Sequence, residues 1–118
     1  MASKVTIWHN PGCGSSKNAL AYLEDKGVAV DIYLYLKEKP GKAEIEGVLK
    51  RLKLKPSGLL RPGEALGEEL GLYDDGADEA TILAAMASHP KLIQRPVVIT
   101  DRGAVIARPK GRIDEVLS

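Results

Sequence analysis

The hydrophobic pattern opens at Val5-Thr6-Ile7-Trp8, whose β-branched and aromatic side chains predict a short strand, and Asn10-Pro11-Gly12 breaks it. From Ser15 or Ser16 to Lys26, Ala19, Leu20 and Leu23 recur at helical spacing, and Gly27 stands where a C-terminal cap belongs. Val28 to Leu36 then alternates. Val28, Val30, Ile32, Leu34 and Leu36 fall on one face and Asp31, Tyr33 and Tyr35 on the other, which predicts a second strand. Strand, helix and strand in this order make a right-handed crossover with the two strands parallel.

Lys37-Glu38-Lys39-Pro40-Gly41 is polar and turn-like, and no strand pattern follows until after His89. Lys42 to Leu52 places Ile45, Val48, Leu49 and Leu52 on one helical stripe. Leu54 to Pro62 reads as a loop in which Leu59 and Leu60 need burial. Glu64 to Leu70 reads as a short helix closed by Gly71. Asp78 is the expected cap of a further helix to Ser88, with Ile82, Leu83 and Met86 inward, ended by His89-Pro90. Val97–Thr100 and Ala104–Ala107 flank Asp101-Arg102-Gly103 as an antiparallel hairpin, and a last helix turns Ile113, Val116 and Leu117 inward.

The order β-α-β, helical block, β-β-α predicts an α/β fold. Joined, the two flanks form a four-stranded mixed sheet with helices against it, the thioredoxin-like plan. A single domain is expected, with its core at about 4–37 and 92–118 and a helical insertion at about 38–91. Seventeen basic and sixteen acidic side chains leave a net charge of +1, so no global field recruits nucleic acid or an anionic membrane. The apolar runs are too short to span a bilayer, and Met1-Ala2-Ser3-Lys4 lacks the apolar stretch of a signal peptide. One cysteine cannot staple the fold internally, which suits a reducing cytoplasm.

That cysteine, Cys13, falls where strand hands over to helix. The first N–H groups of a helix lack internal partners and carry partial positive charge, so a thiolate there is stabilised and its pKa lowered. Taken alone, a single cysteine favours the alternative of a small buried apolar side chain. Gly12 and Gly14 on either side, Ser15 and Ser16 as cap candidates and Lys17 in the first turn favour the anion-binding alternative.

Three familiar loops can be tested on this stretch. A Walker A loop fails, because Lys17 is followed by Asn18 and the Gly spacing is wrong. A phosphatase-type loop fails, because the sixth residue after Cys13 is Ala19 rather than arginine. Cys13-Gly14-Ser15-Ser16 matches a thioredoxin C-x-x-C pair with serine in place of the second thiol. Such a site can attack but cannot close its own disulfide, so turnover needs an external thiol.

His9-Asn10-Pro11, Cys13-Gly14 and Ser16, with Leu59-Leu60-Arg61, Gln94-Arg95-Pro96-Val97-Val98 and Ala107-Arg108-Pro109, closely resemble the glutaredoxin-coupled arsenate reductases, the ArsC family. The resemblance runs from Val5 to Leu117. It implies a thioredoxin-like fold with a helical insertion, arsenate as substrate, glutathione as thiol co-substrate, glutaredoxin as protein partner, and neither a metal nor a tightly bound cofactor. It also implies Cys13 as nucleophile and Arg61, Arg95 and Arg108 as the oxyanion triad. His9, Asn10, Gly14, Ser15, Ser16 and Lys17 support the loop and its thiolate. At the helix start the family carries arginine where this chain has Lys17, a point charge rather than a bidentate fork. The resemblance raises the expectation of a cis bond at Arg95-Pro96.

The side-chain chemistry agrees with that division of labour. A tetrahedral oxyanion suits the paired donors of guanidinium, and Arg61, Arg95 and Arg108 each precede a proline at a loop. Each could equally be a solvated surface cation. His9 either orients the loop or supplies charge beside Cys13. Trp8 and His89 are expected to be structural. Two other functions suit the same fold: a glutathione-dependent thiol-disulfide oxidoreductase, and a non-enzymatic regulator resembling the Spx proteins that bind RNA polymerase. Spx proteins typically carry a C-x-x-C switch, which Ser16 interrupts.

Overall fold

A computed structural model describes residues 5–108 and 110–117; Met1–Lys4 and the Pro109 of the third arginine motif lie outside them. The chain divides into two compact units, one made by Lys39–Gln94 and the other by the segments on either side.

In the flanking unit, β1 (Val5–Trp8), α1 (Gly14–Asp25) and β2 (Val30–Tyr33) are followed by one helical turn, α2 (Tyr35–Glu38). β3 (Val97–Thr100) and β4 (Gly103–Ile106) form the hairpin. The sheet order is β2-β1-β3-β4, with β1 parallel to β2 and antiparallel to β3, and β3 antiparallel to β4. This is the expected mixed, thioredoxin-like sheet. Val5, Ile7, Val98 and Val105 bury one sheet face against Ala19 and Leu23 of α1 and against Ile113 and Val116 near the C-terminal end. Gly103 pairs with Thr100 at φ +144°, a conformation that favours glycine. Gly27, at φ +74°, follows α1 as the left-handed cap.

The second strand departs from its pattern. It ends at Tyr33, and the N–H groups of Lys37 and Glu38 both bond Leu34 O at 2.9 Å. Once the chain turns helical, side chains rotate by about 100° per residue instead of alternating. Tyr35, assigned by alternation to the polar face, is therefore 1% exposed and stacks 6.3 Å from Trp8. Ile32 is 50% exposed and Leu36 38%.

The Lys39–Gln94 unit contains α3 (Lys42–Leu52), α4 (Pro56–Leu59), α5 (Ala65–Glu69) and α6 (Glu79–Ser88). Ile45, Val48 and Leu49 of α3 and Ile82, Leu83 and Met86 of α6 are buried where α6 packs on α3 and α4. The Leu54–Pro62 stretch is not all loop: Pro56 starts the short α4, and Leu59 and Leu60 are buried. Leu60 also makes an isolated antiparallel bridge with Ile93. Asp78 sits at the start of α6, but its carboxylate accepts from Thr81 Oγ1 at 3.3 Å and caps no backbone N–H.

Candidate active site

The loop from His9 to Cys13 continues directly from β1. His9 N–H reaches Tyr33 O at 2.9 Å, extending the parallel ladder by one bond. Asn10 then folds the chain back: its Oδ1 accepts from Gly12 N–H at 2.9 Å and its carbonyl from Cys13 N–H at 3.0 Å. Cys13 keeps extended dihedrals, φ −111° and ψ 125°, while its carbonyl takes the first helical bond from Lys17 N–H at 3.0 Å. It is thus the N-cap residue of α1. Ser15 and Ser16, the expected caps, lie inside the first turn, and no side chain makes a capping bond.

Ser16 is fully buried, and its hydroxyl serves the loop instead. Oγ accepts from Asn10 N–H at 2.9 Å and lies 2.6 Å from His9 Nδ1. Burial first, and then the positive charge of Lys17, hold the His9 pKa below its ordinary value, so the ring is neutral at pH 7. In the neutral tautomer that carries its proton on Nε2, Nδ1 accepts the proton of the Ser16 hydroxyl. His9 orients the loop through that bond.

The charge beside the thiol comes from Arg95. The register that pairs Trp8 with Val97 brings the residues following β1 and those preceding β3 to the same end of the sheet. Arg95, joined to Pro96 by a cis peptide bond, is 8% exposed there. Its Nε and Nη1 are buried without a hydrogen-bond acceptor among the described residues, while the guanidinium acts on Cys13. Burial pushes the Cys13 thiol up. The Ser16 N–H, the Arg95 guanidinium, the Ser15 N–H and the Arg95 charge together outweigh burial, so the thiol sits below its ordinary pKa. The result is a partly accessible, electron-rich sulfur in an electropositive setting, suited to attack on an electrophile.

The chain after β4 passes the same sheet end, with Ala107 N–H on Pro96 O at 2.9 Å. Arg108 is exposed and lines a cavity of about 420 Å³ with Ser15, Asn18, Ala107 and Lys110. Lys17 is exposed, and its charge bears on His9. Gly14 needs no left-handed φ, and a Cβ there would meet nothing within 4 Å. Arg61 belongs to the Lys39–Gln94 unit, where its Nη1 lies 3.3 Å from Glu64 Oε2. Glu64 belongs to no motif in the sequence, and its one local signal is its place three residues from the arginine across Pro62-Gly63, at the other end of a turn.

Residues 8–116 match the model of the ArsC family. The chain belongs to the ArsC family. This ArsC-family chain is 36% identical to the arsenate reductase of Neisseria meningitidis serogroup B over 97% of its own length and 98% of the relative's. It is 35% identical to the Escherichia coli K12 protein YfgD, whose name carries no activity, over 99% of each. The solved arsenate reductase of Vibrio cholerae superposes with a TM-score of 0.94 at 37% identity, covering 99% of this ArsC-family chain and all of the other.

Proposed function

We propose that the chain is an arsenate reductase that converts arsenate to arsenite through Cys13, drawing electrons from glutathione and glutaredoxin in the cytoplasm. One observation carries the reading: the single cysteine of an ArsC-family chain caps α1 beside the buried Arg95, with its pKa lowered. Arg61, Arg95 and Arg108 hold the oxyanion in this scheme, each offering paired donors to its oxygens.

The Cys13 thiolate forms an As–S bond, and an arsenate oxygen leaves as water after taking up a proton. Glutathione displaces a second oxygen as water. A glutaredoxin thiol then attacks the glutathione sulfur, forming their mixed disulfide. The electron pair of the broken S–As bond stays on arsenic, which becomes arsenic(III) still bound to Cys13. Water releases arsenite and restores the thiol. Two external thiols supply the two electrons, because the chain holds no second cysteine.

The test is a coupled assay with glutathione, glutaredoxin and NADPH. Wild-type protein should reduce arsenate, Cys13→Ser should not, and omitting glutaredoxin should stop turnover. Reduction by Cys13→Ser would overturn the scheme.

Lys17, standing where the family carries arginine, favours one second reading: a glutathione-dependent thiol-disulfide oxidoreductase using the same thiolate. Turnover of a glutathione mixed disulfide without turnover of arsenate would select it.

A further inference from the structure

We propose that Tyr73 is a positioning residue for Arg61, its hydroxyl closing the turn that presents the arginine. The inference rests on the reading of Arg61 as an oxyanion ligand. Arg61-Pro62-Gly63-Glu64 has proline second and a glycine at φ +74° third, the requirements of a type II turn. In a closed turn of this kind the first carbonyl accepts from the fourth N–H. Here a side chain stands between them. Glu64 N–H donates to the Tyr73 hydroxyl at 3.1 Å, and that hydroxyl donates to Arg61 O.

The remaining contacts make Arg61 a held residue. Its N–H bonds Leu92 O at 2.7 Å beside the Leu60–Ile93 bridge, so both main-chain groups of the arginine are fastened. Its guanidinium meets Glu64 Oε2 at 3.3 Å, and Glu64 Oε1 lies 3.8 Å from Lys91 Nζ. The chain also keeps a space for the tyrosine. Gly67 lies within α5, where glycine is unfavourable, and a Cβ there would fall 2.6 Å from Tyr73 Oη and 2.7 Å from Cζ. Gly71, at φ +69°, turns the chain so that Tyr73 returns over α5. A 37% exposed tyrosine that requires a helical glycine and fastens both ends of one turn fixes where that turn's arginine points.

Tyr73→Phe removes the hydroxyl and keeps the ring; Gly67→Ala displaces the ring and should act alike. The first readout is the order of the Arg61 Nε–H vector by NMR relaxation, which should fall in both variants while Arg95 Nε–H is unchanged. The second is the coupled assay, in which the arsenate KM should rise about three- to tenfold with kcat nearly constant, the effect of losing a modest hydrogen bond. The third is a double-mutant cycle. Arg61→Ala keeps the carbonyl that Tyr73 braces but removes the guanidinium, so adding Tyr73→Phe should cost no further affinity. Unchanged Arg61 order, or effects that multiply in the double variant, would overturn the proposal. Loss of Arg61 order in a protein whose wild type ignores arsenate would uphold the positioning and overturn arsenate as substrate.

Discussion

The Ser16 hydroxyl lies 2.6 Å from His9 Nδ1, so the position that would carry the second thiol of a C-x-x-C pair is occupied by the bond that orients the loop. Cys13 has no neighbouring sulfur to resolve it, and the residue in that place fixes the backbone from which it projects. Ser16→Ala would remove a partner from both Asn10 N–H and buried His9. The expected loss of stability is about 1–3 kcal/mol, because polar groups are left unsatisfied away from water. Urea denaturation of the two proteins measures it.

Arg95 and the α1 N–H groups hold the Cys13 thiol below its ordinary pKa against the opposing effect of burial. Alkylation of Cys13 by iodoacetamide should therefore show a pH inflection below that of a model thiol. Arg95→Ala should move the inflection upward and slow alkylation near pH 7. The linked stabilisation has a definite sign. It is fully present above the unfolded thiol pKa of about 8.5 and is lost as pH falls through the lower folded value.

His9 also titrates below its ordinary value, burial being the larger cause and Lys17 the smaller. A depressed histidine pKa contributes stability above the unfolded value of about 6.5 that is lost as pH falls through the folded pKa. The NMR titration of His9 should show a neutral ring at pH 7, and His9→Gln should flatten the acid limb of the stability profile.

Tyr35 and Ile32 exchange the roles that strand alternation assigns them. Tyr35→Ala should cost about 3–5 kcal/mol, as removal of a fully buried aromatic ring does. Ile32→Ala, at a half-exposed position, should cost less than about 1 kcal/mol. Thermal and urea unfolding of both variants checks the order.

Glu64 pairs with Arg61 and reaches Lys91, so under the proposed role of Arg61 an oxyanion would compete with a carboxylate of the same turn. Glu64→Gln should lower the arsenate KM about two- to fivefold at low salt, and the difference should shrink as salt screens the pair.

Local patterns carried most of the architecture. β1, α1, α3, α6 and the hairpin declare themselves through period and punctuation, and Gly27, Gly71 and Gly103 adopt the positive φ values that their places imply. Patterns failed where two local signals competed. Asp78 has the composition of a cap but bonds a threonine side chain, and the α1 serines yield the cap position to Cys13. Tyr35 turned inward because one helical turn replaced the end of a strand, a change that alternating residues cannot reveal.

The sequence by itself determined that one thiol stands at a strand-to-helix junction with no second sulfur, because composition and spacing are local properties. Tertiary structure decided the electrostatics. Arg95, 82 residues further along, comes beside Cys13 because β3 pairs antiparallel with β1, and together with the Ser15 and Ser16 N–H groups it outweighs a burial that alone would have made the thiol less reactive. Folding likewise decided that His9 titrates below its ordinary value and that the carbonyl of Arg61 is braced by a tyrosine twelve residues away. Burial and hydrogen-bond partners depend on which segments meet, and no spacing along the chain specifies that.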